Sequence, residues 1–157
     1  MIKQTIYLVG QISKHAEESY NWRQRFEDYF KEKEYNLDII NPCKTEWNLE
    51  IVEEDYKTEP YLMKGTSILP SKDRYFVQQS TIGVANLNLY DPDKPFIGSM
   101  FELAWYFDSP EKVVIGIYDG PRTENINTNH PFVRQTVDVW VKNEQHAARL
   151  IERFFLR

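Results

Sequence analysis

Residues 82–104 hold the pattern that decides the fold, because an apolar strand is followed there by a polar loop and the start of a helix. The strand is predicted by the run Ile82-Gly83-Val84-Ala85-Asn86-Leu87-Asn88-Leu89-Tyr90, and the helix start by Gly98-Ser99-Met100-Phe101-Glu102-Leu103-Ala104. Open α/β sheets bind their ligands at the carboxyl ends of the strands. We therefore expect Glu102, in the first turn of this helix, to face a small-molecule site.

A structural interpretation of the same residues is also open. Ser99 and Glu102 have the spacing of a capping box, in which the glutamate side chain returns to the helix N-cap and does no chemistry. The helix dipole favours an acid in the first turn in either case, and favours its ionised form. The local pattern alone leaves Glu102 open between a catalytic acid and a cap.

The composition is that of one globular domain spanning residues 1–157. The chain is 41% hydrophobic and 27% charged, with a net charge of −5 and no dense lysine or arginine cluster, which argues against a nucleic-acid polymer as partner. A single cysteine, Cys43, excludes an internal disulfide and favours a reducing, cytoplasmic location. No segment is long enough to predict a membrane span.

Apolar and amphipathic segments alternate along the chain, which is the pattern of strands and helices taking turns. Strands are predicted at about 5–9, 37–40, 82–89, 113–118 and 136–141, and helices at 19–33, 73–79, up to 107, and from 143 onward. This order predicts an α/β protein with a five-stranded parallel sheet covered by helices on both faces. Residues 44–71 are the least regular, and we expect a functional loop or lid there, or further helices. A second polar loop is predicted at 119–129.

The order of the motifs resembles that of the nucleoside 2-deoxyribosyltransferase family and the related nucleoside-phosphate N-glycosidases. The matching segments are Ile6-Tyr7-Leu8-Val9-Gly10, Asn41-Pro42, Asp73, Val84-Ala85-Asn86-Leu87 and Gly98-Ser99-x-x-Glu102-Leu103. The resemblance runs from the first predicted strand to the fourth. It implies a flavodoxin-like, Rossmann-like sheet and cleavage of the N-glycosidic bond of a (2-deoxy)nucleoside or its 5′-monophosphate, without a cofactor or a metal.

The resemblance also implies three catalytic residues. Glu102 would be the nucleophile that forms a glycosyl-enzyme intermediate, and Tyr7, at the end of the first strand, would orient it. Asp73 would protonate the departing base. The structural alternatives are core packing for Tyr7, and a helix cap or surface acid for Asp73.

Seven further residues are expected to bind substrate: Gly10, Gln11, Asn86, Asn88, Gly98, Ser99 and Asn129. Gly10 and Gln11 follow the first strand and would approach the base closely. Asn86 or Asn88 would hold a sugar hydroxyl or the loop that carries Gly98; alternatively, both tie down the turn at residues 90–95.

Asn129 resembles an asparagine that relatives donate to the site of a neighbouring subunit. Asn125 and Asn127 compete with it for this role. The aromatic content of 15% also predicts a homodimer or larger homo-oligomer, because it exceeds what one core can readily hide. The residues expected to contribute are Trp47, Tyr56, Tyr61, Trp105, Tyr106 and Trp140, with Trp105 and Tyr106 forming the contact.

One position departs from the pattern of the transferases. An acid that contacts the sugar commonly lies six residues before the nucleophile, and Phe96 stands there; Asp91 and Asp93 would substitute only if their loop folded back. This leaves hydrolysis open beside transfer between bases. Two other functions also stay open: a TIR-like NAD glycohydrolase that keeps the fold and the glutamate, and a non-catalytic nucleotide sensor in which Glu102 is only a cap.

Overall fold

The computed structural model describes residues 2–44 and 68–157. We label the helices and strands of these ranges in chain order. They are β1 Gln4–Gly10, α1 Glu18–Phe30, β2 Leu37–Ile40, α2 Ile68–Gln79, β3 Ile82–Asn86, α3 Ile97–Phe107, β4 Val113–Ile117, α4 Ile126–Asn129, α5 Pro131–Thr136, β5 Val139–Val141 and α6 Glu144–Phe155, with a 3₁₀ turn at Arg122–Glu124.

The strands of the described ranges form one sheet in the order β2-β1-β3-β4-β5, and every neighbouring pair is parallel. This confirms the predicted five-stranded parallel sheet, and the order is that of flavodoxin-like folds. The chain crosses to β2 on one side of β1 and then returns to β3 on the other. Such a switch point leaves a crevice at the carboxyl ends of β1 and β3, where ligands of this architecture bind.

Helices cover both faces of the sheet, as predicted. On one face Ile6 and Leu8 of β1 pack with α1 and α6. On the other face Tyr7 and Val9 pack with α2, α3 and α5. The alternation of side chains along β1 thus sends Tyr7 toward α2 and α3, the helices that carry Asp73 and Glu102.

Helix α3 lies unusually close to β3 because Gly83 has no side chain. A Cβ atom on Gly83 would come within 2.7 Å of the Tyr106 ring. The Tyr106 hydroxyl lies 2.5 Å from the Ser80 hydroxyl, at the end of α2, so one buried ring joins α2, β3 and α3. This packing fixes the position of α3 one turn beyond Glu102.

The structure differs from the predicted elements at several ends. Strand β3 stops at Asn86 instead of residue 89, and α2 begins at Ile68 instead of residue 73. The predicted fifth strand at 136–141 is shorter, because residues 131–136 form α5, where the Thr136 hydroxyl bonds to the Phe132 carbonyl. The predicted loop at 119–129 contains the 3₁₀ turn and α4.

Two other observations concern the chain outside or at the edge of these elements. The expected loop or lid at 44–71 lies mostly outside the described residues, and its last four residues belong to α2. In the last helix, Phe154 is 68% exposed, whereas Leu156, just after the helix, is buried. No helix among the described residues is both long and apolar enough to cross a membrane.

Candidate active site

Glu102 lies in the second turn of α3 and is only 7% exposed. The helix begins at Ile97 with Phe96 as its N-cap, and no side chain caps it. Ser99 is therefore inside the helix, and the capping-box interpretation is wrong. The expectation that Glu102 occupies the first turn is also wrong, so the helix N-terminus does not account for its chemistry.

Three polar side chains interact beside the sheet: the buried Tyr7 from β1, the half-buried Asp73 from α2 and the buried Glu102 from α3. Tyr7 lies in the middle of β1, four positions into the strand, and not at its end as expected. Within the described part of the chain, the Tyr7 hydroxyl and Glu102 Oε2 are buried without a hydrogen-bond partner, and the only recorded contact of Asp73 Oδ1 is an ion pair with Lys72. Each unpartnered buried atom costs about 1–3 kcal/mol, so two of them in one cluster point to a function that needs them.

The electrostatics of this cluster favour protonated carboxyl groups. The pKa of Glu102 is raised to about 8: burial is the main cause, the charge of Asp73 adds to it, and the Tyr7 hydroxyl and the cations Arg23 and Lys72 partly oppose it. Burial also raises the pKa of Asp73, although Lys72 lies 3.3 Å from its Oδ1 as an ion pair. The expectation that the Glu102 pKa stays low is thus wrong, because desolvation outweighs every group that favours the carboxylate.

Tyr7 stays a hydroxyl donor throughout the physiological range. Burial raises its pKa, and the nearby charges of Glu102 and Asp73 raise it further. A phenol that does not ionise can donate a hydrogen bond to a neighbouring carboxylate. The cluster therefore combines two acids able to hold or give up a proton with one fixed donor, which is an arrangement suited to acid–base and nucleophilic chemistry.

Arg23 is a buried residue that the sequence analysis did not assign to the site. Its guanidinium is fully buried and donates to the carbonyls of Gly10 at 2.9 Å and Gln11 at 3.2 Å, and to that of Ser19. Its Nε atom has no partner in the described residues. The sequence carried a signal for this burial, because position 23 belongs to the buried stripe Ser19, Trp22, Arg23, Phe26 and Phe30.

Gly10 ends β1 with a φ of +157°, which side-chain-bearing residues rarely adopt. A Cβ atom there would lie 3.1 Å from the Asn86 carbonyl and 3.3 Å from the Trp22 ring. The glycine is therefore required by the close approach of β1 to β3 and α1. A direct contact between Gly10 and a base stays a prediction.

The Gln11 side chain is fully engaged inside the protein. Its amide nitrogen donates to the carbonyls of Asp91 at 2.8 Å and Lys94 at 2.6 Å, and its oxygen accepts from the N–H groups of Tyr90 at 3.1 Å and Asp91 at 2.8 Å. These four bonds use both donors and both lone pairs of the amide. The expected contact of this side chain with the base has no free group to make it.

Asn86 and Asn88 serve the loop after β3. Asn86 donates to the Tyr90 hydroxyl at 3.0 Å and accepts from the side chain of Asn88 at 2.9 Å. The oxygen of Asn88 accepts from the Asp119 N–H at 3.4 Å, which connects the loops after β3 and β4. The structure thus favours the structural alternative, in which the two amides tie down this turn, over a bond to a sugar hydroxyl.

The remaining expected binding residues lie on α3 and α4. Gly98 is exposed at the start of α3, and, apart from the backbone of its own helix, no atom of residues 2–44 and 68–157 lies within 4 Å of where its Cβ would be. Ser99 is buried next to it. Asn129 is exposed at the end of α4, whereas Asn125 caps α4 and is thus committed. A binding role for Gly98, Ser99 and Asn129 stays a prediction.

The Asp91 carboxylate holds its own loop. It accepts from the Ser13 hydroxyl and from the Asp93 N–H at 3.1 Å. The Ser13 hydroxyl also keeps the pKa of Asp91 low. A sugar contact by Asp91 or Asp93, in place of an acid at position 96, stays a prediction.

A separate apolar groove of about 660 Å³ runs between α3 and α5. Its apolar lining comprises Met100, Leu103, Ala104, Phe107, Ile126, Phe132 and Val133.

Tyr106, expected at the subunit contact, is buried inside the chain, and Trp105 packs partly against the core. Trp47, Tyr56 and Tyr61 lie outside the described residues. No group of three His, Cys, Asp or Glu side chains placed to hold a metal ion occurs in the ranges 2–44 and 68–157.

Comparison with known proteins finds likeness at the level of structure. No protein-family model matches the sequence, and no curated protein matches it. A 2-desoxiribosyltransferase from Leishmania mexicana superposes with a TM-score of 0.65 at 15% identity, over 98% of this chain and 99% of that one. A conserved protein from Enterococcus faecalis V583 gives 0.60 at 13% identity, over 97% and 99%.

The CMP N-glycosidase BcmB from Clostridium botulinum gives a TM-score of 0.53 at 11% identity, over 97% of this chain and all of that one. These structures include both kinds of enzyme that the motif order resembles. At such identities the likeness concerns the fold. Over nearly its whole length, the chain thus has the fold of solved structures that include a 2-desoxiribosyltransferase and a CMP N-glycosidase.

Proposed function

We propose that this protein is an enzyme that cleaves the N-glycosidic bond of a (2-deoxy)nucleoside or its 5′-monophosphate, with Glu102 as nucleophile. The observation that carries the proposal is the cluster of Tyr7, Asp73 and Glu102, in which the Tyr7 hydroxyl and Glu102 Oε2 are buried with no hydrogen-bond partner in the described residues. Solved structures of this fold include a 2-desoxiribosyltransferase and a CMP N-glycosidase, which supports the same class of substrate here.

The first step forms a glycosyl-enzyme. A carboxylate oxygen of Glu102 attacks the anomeric carbon, and the bond from that carbon to the base nitrogen breaks with its electron pair moving to the base. Asp73 supplies the proton that the base needs to leave as a neutral molecule. Burial favours the protonated form of Asp73, as this role requires. When Glu102 ionises, the Tyr7 hydroxyl donates a hydrogen bond to its carboxylate and orients it.

The second step releases the sugar. Water or a second base attacks the anomeric carbon, the ester bond to Glu102 breaks, and the electron pair returns to the carboxylate. Asp73, now ionised, takes up the proton of the attacking molecule. Water gives the free sugar, and a base gives a new nucleoside. The missing sugar-binding acid at Phe96 favours hydrolysis as the default outcome.

Product analysis tests this function. The protein is incubated with a 2′-deoxynucleoside or its 5′-monophosphate, with and without a foreign base, and the products are separated by chromatography. Release of base requires the proposed activity; a new nucleoside identifies transfer, and free sugar alone identifies hydrolysis. Glu102→Gln should reduce either rate by at least about 1,000-fold while the protein stays folded. Binding without cleavage would support a nucleotide sensor and contradict the proposal.

A further inference from the structure

Gln11 lies between two loops at the carboxyl ends of β1 and β3. Residues 11–17 follow β1, and residues 87–96 connect β3 to α3. The side chain is 4% exposed and makes four hydrogen bonds to main-chain groups of residues 90–94. It therefore satisfies main-chain groups of the second loop that would otherwise be left with few partners inside the protein.

Two additional bonds join the same loops. The Lys94 ammonium donates to the Ile12 carbonyl, and the Ser13 hydroxyl donates to the Asp91 carboxylate. We call these bonds, together with the four of Gln11, the loop clasp. Because Gln11 makes four of the six, it is the residue on which the clasp depends most.

The loop clasp is fixed on the side of β1. Arg23, fully buried in α1, donates to the carbonyls of Gly10 and Gln11. The main chain of Gln11 is thus held by α1 while its side chain holds the second loop. Neither end of the connection depends on an exposed side chain.

The second loop leads directly into the helix of the nucleophile. Gln11 holds the Lys94 carbonyl, the ring of Pro95 fixes its own φ and restricts Lys94, Phe96 is buried, and α3 begins at Ile97. A shift of the loop would therefore move the start of α3, one turn before Glu102. A displacement of about 1 Å at a reacting group can cost about 100-fold in rate.

We propose that Gln11 is a positioning residue for glycosyl cleavage: through the loop clasp it sets the start of α3 and hence the distance from Glu102 to the anomeric carbon. This inference rests on the proposed function. We expected Gln11 to contact the base, but all four hydrogen-bonding positions of its amide are used inside the protein. Its effect on the reaction is therefore exerted through the loop and not by direct contact with the substrate.

Gln11→Met tests the proposal, since methionine has a similar volume and makes none of the four bonds. The matched control is Gln145→Met, at an exposed position of α6. We expect Gln11→Met to lower kcat about 10- to 100-fold, with little change in KM and by the same factor for purine and pyrimidine nucleosides. The control should keep the wild-type values. A loss restricted to one class of base would instead indicate a direct contact and overturn the proposal.

Hydrogen exchange gives a readout that does not need activity. The N–H groups of Tyr90 and Asp91 donate to Gln11, so they should exchange at least about 10-fold faster in Gln11→Met, and those of the α3 start should follow. Unchanged exchange, or faster exchange with unchanged kcat, would contradict a positioning role. If wild type cleaves no nucleoside, the proposed function fails, while exchange still decides whether the clasp holds α3. If Gln11→Met does not fold, Gln11→Glu keeps the two acceptor bonds and loses both donors, and it is judged by kcat, KM and exchange at the start of α3, because Tyr90 and Asp91 keep their acceptor.

Discussion

Glu102 is a carboxylic acid that the fold keeps protonated at a pH where exposed glutamates are ionised. Its pKa of about 8 results first from burial and then from the charge of Asp73. At pH 7 only about one tenth of the molecules carry the Glu102 carboxylate in the free protein. A nucleophile must be ionised, so kcat/KM for a substrate with an activated leaving group should rise with pH and level off above about 8.

The same burial predicts how stability depends on pH. The pKa of Glu102 is about 8 in the folded protein, against 4.5 for the free group and hence for the unfolded chain. Between these pH values the folded state binds more protons, so the free energy of unfolding falls as pH rises. Glu102→Gln removes this titration. The melting temperature of the variant minus that of wild type should increase from pH 5 to pH 9, by an amount equivalent to roughly 2–5 kcal/mol.

Thermal unfolding of both proteins across this range is the measurement. A constant difference between them would reflect only the change of side chain. It would contradict a raised pKa of Glu102, and therefore the conclusion that burial keeps this side chain protonated at neutral pH.

The contribution of Asp73 to the cleavage rate should be largest for substrates whose base must be protonated in order to leave. Asp73→Asn cannot supply a proton, so it should slow an ordinary nucleoside about 100-fold or more. An activated nucleoside whose base leaves unprotonated should lose much less. The ratio of the two rates, measured in wild type and variant, is the test, and an equal loss on both substrates would favour a structural role for Asp73.

Helix α3 connects the site to the core, and two glycines fix its placement differently. Gly83 of β3 faces the Tyr106 ring, where a Cβ atom would come within 2.7 Å, so Gly83→Ala must push α3 away from the sheet. Gly98 has open space around the position of its Cβ. Alanine there removes the conformational cost of glycine in a helix, about 0.5–1 kcal/mol.

We therefore expect a glycine-to-alanine substitution to have opposite effects on thermal stability at Gly98 of α3 and at Gly83 of β3. Gly98→Ala should raise the melting temperature, and Gly83→Ala should lower it by the equivalent of about 1–3 kcal/mol. If Gly98 borders the substrate, Gly98→Ala should also raise KM in spite of its greater stability. A Gly83→Ala protein as stable as wild type would show that α3 does not depend on this close contact.

The whole molecule presents an apolar face that one chain leaves uncovered. Phe107 is 60% and Phe132 78% exposed along the groove between α3 and α5, and Ile126 lies beside them. A contiguous apolar surface of this kind commonly marks a contact between proteins. We propose that it is the homo-oligomer contact, in place of the Trp105 and Tyr106 surface first expected, and that it brings Asn129 of α4 near a second copy.

Phe132→Asp should dissociate the oligomer, whereas Phe154→Asp, at a phenylalanine exposed on α6, should not. Light scattering of both variants at micromolar concentration gives the answer. If the site is completed across the contact, the dissociated variant should also lose activity. A wild-type protein that is fully active at the mass of one chain, 18.8 kDa, would exclude this arrangement.

The sequence predicts the architecture of this protein better than the state of its site. Alternating apolar and amphipathic segments are enough to derive the parallel sheet, and the position of Glu102 after a buried strand is enough to select it. Its burial is not readable locally, because Tyr7 and Asp73 arrive from elements separated from it in sequence. The role of Gln11 is likewise not predictable from local sequence, because its four hydrogen-bond partners belong to residues 90–94, about 80 positions further along the chain.

Covalent trapping tests the central claim, that Glu102 is the nucleophile, most directly. A 2′-deoxy-2′-fluoro nucleoside with an activated base forms a glycosyl-enzyme faster than it is hydrolysed, because the fluorine slows the second step. Intact-mass spectrometry should show one added fluoropentosyl group, peptide mapping should locate it on Glu102, and Glu102→Gln should gain none. Cleavage of ordinary nucleosides by wild type without any adduct, or an adduct on another residue, would contradict the claim.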